Sequence, residues 1–220
     1  MSYSGVIIGG MDTLRQMGLI LLADLKIGTP PLKSNIVEIP GADGTLNMSY
    51  IVGGGEPLYG NRDISFSLFK QADEQSFSET RAKLMALCHG REQTLILPND
   101  KTHYYKGLFT VGDSDGYNNR TIPISIIADP YAYKIELTKV KIALPKSGKT
   151  NVYLHNEMRN VIPEFSAENP FTVGFNGSQY SLSSGITKIP SIKLKEGNNI
   201  ISLESAAENI ITVIYQEARI

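Results

Sequence analysis

The stretch Ala143-Leu144-Pro145-Lys146-Ser147-Gly148-Lys149-Thr150 is where this sequence comes nearest to a chemical motif. With alanine in place of the first glycine it fits a relaxed phosphate-binding loop, in which backbone amides and a following helix N-terminus cradle phosphate. That chemistry needs a strand before the loop and a helix after it. Lys139–Ala143 supplies the strand, but Asn151-Val152-Tyr153-Leu154 reads as a second strand, and Pro145 stiffens the loop where it should wrap. The expectation is a lysine-rich hairpin turn.

The other chemistry-bearing residues lack the partners their chemistry needs. His89 and His103 are fourteen residues apart and His155 lies far downstream, so neither a histidine pair at helical spacing nor a paired carboxylate face offers zinc or iron a ligand set. A Ser-His-Asp triad has no Gly-x-Ser-x-Gly elbow behind it. Asp113, Asp115 and Asn118 carry oxygen ligands, yet Tyr117 stands where a calcium loop wants another, which favours a solvated turn. Cys88 is the lone cysteine and can form neither an internal disulfide nor a cysteine metal site; on an apolar helix stripe it reads as a small buried hydrophobe. No catalytic residue, metal or cofactor is expected, and the chain reads as a non-enzyme.

Composition narrows the class. The 220 residues suffice for one large domain or two small ones, and 41% hydrophobic with 20% charged residues is an ordinary globular balance. With 21 Lys+Arg against 22 Asp+Glu the net charge is −1, which argues against a surface built to grip nucleic acid or an anionic membrane. The apolar run Met17–Ala23 is too short to span a bilayer, and Asp12 offsets Arg15 where a signal peptide needs a basic start. Folding in a cytoplasm is expected, so the Asn-x-Ser/Thr triplets at Asn47, Asn119 and Asn176 carry no weight as glycosylation sites.

The elements that would position any site are mostly short strands. Ile64-Ser65-Phe66-Ser67-Leu68 alternates apolar and polar residues, and Thr94–Leu97, Leu108–Val111 and Ile122–Ile127 are further strand candidates, the last preceded by the turn Gly112–Gly116. Pro40-Gly41-Ala42-Asp43-Gly44 and Gly53-Gly54-Gly55 bracket Leu46–Val52, a layout for a projecting strand or hairpin arm. One helix is predicted over Phe77–His89, capped by Ser76 with Glu79 three residues on and stopped by Gly90. Beyond Asp129-Pro130-Tyr131 the helical signal disappears. Phe171, Val173 and Phe175 alternate, Asn176-Gly177 offers a tight turn, and strands at Tyr180–Leu182, Ile192–Leu194, Ile201–Leu203 and Ile211–Tyr215 follow at intervals of about ten residues, as in a small β-sandwich. Such sandwiches often bind glycans by stacking an aromatic ring on the sugar, but there is no Trp, and Tyr153, Phe165 and Tyr180 suit a core or strand face equally well.

In order along the chain, Ile39-Pro40-Gly41-Ala42-Asp43-Gly44, Pro57-Leu58-Tyr59-Gly60-Asn61-Arg62, Leu87-Cys88-His89-Gly90-Arg91 and Ala128-Asp129-Pro130-Tyr131 resemble the distal tail protein (Dit) of siphophages infecting Gram-positive bacteria. The second half, with Asn176-Gly177, Tyr180-Ser181-Leu182, Leu194–Asn199 and Ile214-Tyr215, looks like that family's small galectin-like domain. The resemblance implies a mainly β chain in two parts. An α+β domain over residues 1–136 would be a tube-protein-like β-sandwich with one helix and a β-hairpin arm, and residues 137–220 would form the galectin-like β-sandwich. It also implies structural work: a hexameric ring, single or stacked in pairs, joining the tail tube to the tip in the virion, assembled in the host cytoplasm and making no membrane contact. Partners would be the major tail protein, the tape-measure end and a tail-associated baseplate, fibre or receptor-binding protein, with DNA passing through the lumen unbound.

For that role the candidate assembly residues are Leu46 and Tyr50 on the arm and Tyr59, Asn61 and Arg62 at its base, with Arg62 either pairing with a carboxylate or standing as an exposed charge at a strand start. The arm suits strand exchange with a neighbour, where backbone hydrogen bonds provide adhesion. The chain has no room for an inserted carbohydrate-binding module, and His155-Asn156-Glu157-Met158-Arg159 does not match the sugar-reading motif of true galectins, so recognition is expected to fall to a partner. The alternative from another class is a small glycan-binding β-sandwich acting in host-surface adhesion.

Overall fold

In Arg62–Phe69, residues 62, 64, 66 and 68 are buried while those between them face outward or sit half-covered, which is the period-two pattern of a strand with one face on a core. A computed structural model describes residues 3–53, 55–114 and 120–220, and divides the chain into two compact units, one running to Ala132 and the other from Tyr133 to Arg219. The first unit contains β1 (Ile7–Ile8), β2 (Met11–Asp12), α1 (Thr13–Met17), β3 (Ile20–Leu21), β4 (Lys26–Ile27), β5 (Ile36–Glu38), β6 (Thr45–Asn47), α2 (Met48–Val52), β7 (Arg62–Phe69), α3 (Glu74–Cys88), β8 (Glu92–Leu97), β9 (Asp100–Val111) and β10 (Thr121–Ala128). Its main sheet runs β2-β1-β8-β9-β10-β7-β3, with β4 also on β7, every pair antiparallel. The strand expected at Leu108–Val111 is the end of the twelve-residue β9. Part of the Gly112–Gly116 turn, with Asp115, Tyr117 and Asn118 of the calcium reading, lies outside the described residues.

Helix α3 covers the buried face of this sheet. Phe77, Thr80, Leu84 and Cys88 recur at helical spacing and are buried, the apolar ones sharing a core with Ile64, Phe66, Leu68, Phe109, Ile122 and Ile126. The helix starts earlier than the sequence suggests. Asp73, not Ser76, is the cap: its Oδ1 accepts the Ser76 amide at 2.7 Å, while Glu79 is engaged by Gln75 Nε2 at 2.8 Å and does not reach back. Gly90, at φ +67°, takes the left-handed conformation past the helix end. Cys88 is enclosed, its thiol directed at the Leu84 carbonyl, and burial pushes it up to about 11, so it carries no thiolate at neutral pH. None of the helices among the described residues is long and apolar enough to cross a membrane.

After β11 (Ala132–Lys134), the second unit contains β12 (Thr138–Leu144), β13 (Gly148–Asn156), β14 (Glu164–Ala167), β15 (Phe171–Phe175), β16 (Ser178–Leu182), β17 (Gly185–Lys188), β18 (Gly197–Ser205), β19 (Asn209–Tyr215) and β20 (Ala218–Arg219). Two four-stranded sheets, β12-β19-β14-β17 and β13-β18-β15-β16, share a core that includes Leu154, Phe165, Val173, Ile201, Leu203, Ile211 and Val213. Asn176 at φ +47° and Gly177 at φ +80° make the tight turn between β15 and β16. The segment around Pro145–Gly148 is a turn, with Gly148 N donating to Pro145 O at 2.9 Å, but it is not a hairpin: β12 pairs with β19 and β13 with β18, so it carries the chain from one sheet to the other. A strand follows it, which leaves the loop without the helix that phosphate binding requires.

Glu217 ties the two ends of this unit together. Its buried carboxylate accepts from Lys134 Nζ at 2.7 Å and from the Thr138 hydroxyl, and its carbonyl accepts the Lys134 amide at 3.0 Å. Burial alone would push this carboxyl up, but the bonds from Lys134 and Thr138, with the charges of Lys134 and His155, outweigh it and hold it below the ordinary glutamate value. The bond to Glu217 in turn raises Lys134. A depressed carboxyl stabilises the fold above its unfolded pKa and loses that contribution as pH falls through the folded one. Glu217→Gln is therefore expected to lower stability at pH 7 by about 1–3 kcal/mol and to flatten the acid limb of a denaturant-midpoint profile between pH 7 and pH 3. An unchanged acid limb would remove Glu217 from the account.

Candidate assembly site

The segment between β4 and β7 leaves the main sheet and returns to it as two stitched legs. Gly28 N donates to Asp63 O, Gly60 N to Pro31 O and Lys33 N to Leu58 O, each at 2.7 Å, and Leu32 bridges Tyr59 in antiparallel register. Beyond the legs, β5 and β6 pair as Ile36↔Asn47, Val37↔Leu46 and Glu38↔Thr45 around the loop Ile39–Gly44, where Gly41 and Gly44 adopt φ of +82° and +77°. Met48 N donates to Asn35 O at 2.8 Å, and α2 follows. The arm is thus a hairpin over residues 36–47 capped by one helical turn, and not a strand over Leu46–Val52. A short apolar run without flanking strand partners suits either conformation, and the Gly53 amide closes it as helix on Ser49 O at 2.9 Å.

What the arm displays is apolar. Ile36, Val37, Ile39, Leu46, Ile51 and Val52 are all exposed, Val52 to 75%. Leu46 lies opposite Val37 on the hairpin; Tyr50 lies in α2, and its side chain is outside the described residues. The sequence reading missed the first strand of the pair. Its signal was available in Ile36-Val37-Glu38-Ile39, a β-branched run directly before a Pro-Gly turn.

Arg62, where the returning leg joins the sheet, is only 4% exposed. Its partner is not a carboxylate, and it is not a solvated charge. The guanidinium donates from Nη2 to the Pro130 carbonyl and lies 5.3 Å from the centre of the Tyr105 ring, while Nε is buried without a hydrogen-bond partner. Burial pulls the group below its ordinary value and Tyr105 acts the other way. Tyr59 meets Tyr131 edge-on at 6.2 Å, so Tyr59 and Arg62 grip the two residues Pro130 and Tyr131 from the same leg. Asn61 is exposed between them. Pro130, Tyr131 and Tyr105 belong to this anchor as much as Arg62 does.

Elsewhere, His89 Nδ1 accepts the Val111 amide at 3.0 Å and so serves the helix end, while His155 Nδ1 is 3.3 Å from Asn198 Oδ1 on the second unit. Of the three aromatic residues considered for sugar stacking, Phe165 is buried, Tyr180 is half-buried against the core and Tyr153 is 69% exposed.

Compared with known proteins, the chain matches no family model and no curated protein. It does match a solved structure from end to end. The crystal structure of the Dit protein (gp 19.1) of SPP1, described as a paradigm of the hub adsorption apparatus in phages infecting Gram-positive bacteria, aligns over 100% of both chains at a TM-score of 0.63 and 14% identity. The chain has the Dit fold. Within that fold the stitched legs, the hairpin arm and the Arg62 anchor all lie in the first unit, and the two-sheet sandwich makes up the second. A de novo designed double-stranded β-helix (TM-score 0.27, 19% identity, 37% of this chain and 99% of that one) and the cupin domain of Schizosaccharomyces pombe Cnp3 (0.25, 10%, 49% and 85%) match only in part.

Proposed function

We propose that this chain is a structural hub protein of a phage tail tip, without catalytic activity, forming a hexameric ring, single or stacked in pairs, that joins the tail tube to the tip and host-recognition proteins. The observation that carries the reading is the likeness to the SPP1 hub protein over the full length of both chains, spanning both units together. In this reading residues 1–136 build the ring and residues 137–220 are a galectin-like domain facing the tip partners. Those partners are the major tail protein and tape-measure end on one side and a baseplate, fibre or receptor-binding protein on the other. The ring is part of the virion and assembles in the host cytoplasm.

Two physical features agree with it. A net charge of −1 leaves the chain without a body of positive charge to hold DNA as it slides past. An arm that exposes six apolar side chains on a stitched stalk is costly for an isolated protomer and natural for one that inserts into a neighbour, since covering what remains exposed of each contributes about 0.5–2 kcal/mol. Leu46 and Tyr50 would then meet the neighbouring protomer, while Tyr59, Asn61 and Arg62 set the angle of the arm. Light scattering on the intact chain is expected to give six or twelve times the 24.1 kDa protomer. A monomer across micromolar concentrations would refute the ring.

A further inference from the structure

The outward face of the sheet β13-β18-β15-β16 is mostly polar and carries one exposed aromatic ring. One cross-strand row reads Asn151–Ser202–Gly174–Gln179, running over all four strands. The next holds Tyr153 opposite Ile200, and beyond it His155 opposite Asn198. On the other side the row is Lys149–Glu204–Thr172–Ser181, whose two charges pair with each other at 3.4 Å. The face therefore offers amides and hydroxyls with no unpaired charge from these rows, and one freely exposed aromatic ring. Gly174 makes a depression of about 250 Å³ beside the β15–β16 turn, lined by Asn151, Asn176, Gln179, Ile200 and Ser202. A Cβ at Gly174 would lie 2.2 Å from the Ser202 hydroxyl oxygen, so the hollow exists because this residue is glycine.

We propose that this face is a binding site for a neutral oligosaccharide of hexose or N-acetylhexosamine units, with Tyr153 as the stacking platform. The C–H face of a sugar ring is apolar and packs on an aromatic ring, while its rim of hydroxyls both donates and accepts hydrogen bonds. Asn151 and Gln179 each carry both functions on one side chain, which suits vicinal hydroxyls, and Ser202 adds a third. Four strands at about 4.8 Å spacing span about 14 Å, the length of two to three sugar rings. The paired Lys149 and Glu204 leave little to attract a phosphate, a nucleic acid or a charged peptide. A protein interface of ordinary kind would put a larger apolar centre here than Tyr153 and Ile200 provide. The absence of Trp makes the platform weaker without removing it, and six copies on one ring would multiply a weak contact. The site stands on the second unit alone and does not depend on ring formation.

The test is a saturation-transfer NMR screen of neutral hexose and N-acetylhexosamine oligosaccharides against the full chain. The best binder would then be followed with the intact chain, Tyr153→Ala and Tyr153→Phe. Tyr153 is exposed, so both variants should fold with unchanged thermal stability. The expected result is binding in the 0.1–10 mM range, about tenfold or more weaker in Tyr153→Ala and within about threefold of the original in Tyr153→Phe, because the ring face and not the hydroxyl makes the contact. Silence across the NMR screen, or a binder indifferent to Tyr153→Ala, overturns the site. So does a change in oligomeric mass in Tyr153→Ala without saccharide binding, which would make the face a contact between protomers.

Discussion

Replacing residues 34–57 by a short glycine-rich turn is expected to convert the proposed ring into protomers while leaving each protomer folded. Lys33 and Leu58 face each other, with the Lys33 amide on the Leu58 carbonyl at 2.7 Å, so the legs can be closed at that level as a hairpin. The described residues of the segment removed contribute nothing to either buried core, and six of its apolar side chains are exposed. Its loss should thus shift the melting temperature by about 2 °C or less, in either direction. The effect on association should be far larger, because Ile36, Val37, Ile39, Leu46, Ile51 and Val52 are exposed on the arm. Already partly covered, each would contribute about 0.5–2 kcal/mol on full burial, and every tenfold change in a dissociation constant takes about 1.4 kcal/mol. Light scattering decides it: a shortened chain that still runs at hexameric mass shows that the arm does not knit the ring. A double change, Ile36→Asp with Val52→Asp, serves as the milder version and should shift the same equilibrium towards protomers without removing backbone.

The parts of this protein legible in its sequence are those governed by local pattern. Ile64, Phe66 and Leu68 could be read as one face because burial of a half-covered sheet imposes period two, and Asn176-Gly177 could be read as a turn because both residues tolerate positive φ. The helix end at Gly90 follows from the same logic, but its start does not: Asp73 and Ser76 are both good caps, and only the 2.7 Å bond to the Ser76 amide decides between them. The arm was half-legible. Its glycines marked the turn, yet Leu46–Val52 is apolar without the alternation or length that separates strand from helix. Of the anchor, Tyr59 and Arg62 were visible at the base of the arm, but what they grip was not. The partner of Arg62 is a backbone carbonyl 68 residues away, and carbonyls leave no trace in a sequence. The saccharide face was hidden for a related reason, since it exists only when four strands place Asn151, Ser202, Gly174 and Gln179 in one row.

Arg62→Ala is expected to be the most damaging single substitution in the first unit that leaves its apolar core untouched. The wild-type side chain fills the space beneath Tyr105 and satisfies the Pro130 carbonyl from inside the fold, at 4% exposure. Alanine removes the packing of the long stem as well as the donor, and leaves that carbonyl to find water or go unpaired. The two losses together should cost about 2–4 kcal/mol, or about 4–16 °C in melting temperature for a chain of this size. Arg62→Met separates the two causes. It restores most of the apolar stem and none of the hydrogen bonding, so it should recover roughly half the loss if packing and the carbonyl bond contribute alike. Arg62→Lys should not rescue fully, because an ammonium has neither the planar surface that lies over Tyr105 nor the reach of the guanidinium fork. Because Tyr59 and Arg62 hold the same leg against Tyr131 and Pro130, the damage should also extend to assembly. At temperatures where Arg62→Met protomers remain folded, the proposed ring should dissociate at higher protein concentration than the original. If Arg62→Met lowers the melting temperature yet leaves the concentration dependence of the hexamer unchanged, Arg62 supports the sheet alone and does not set the arm.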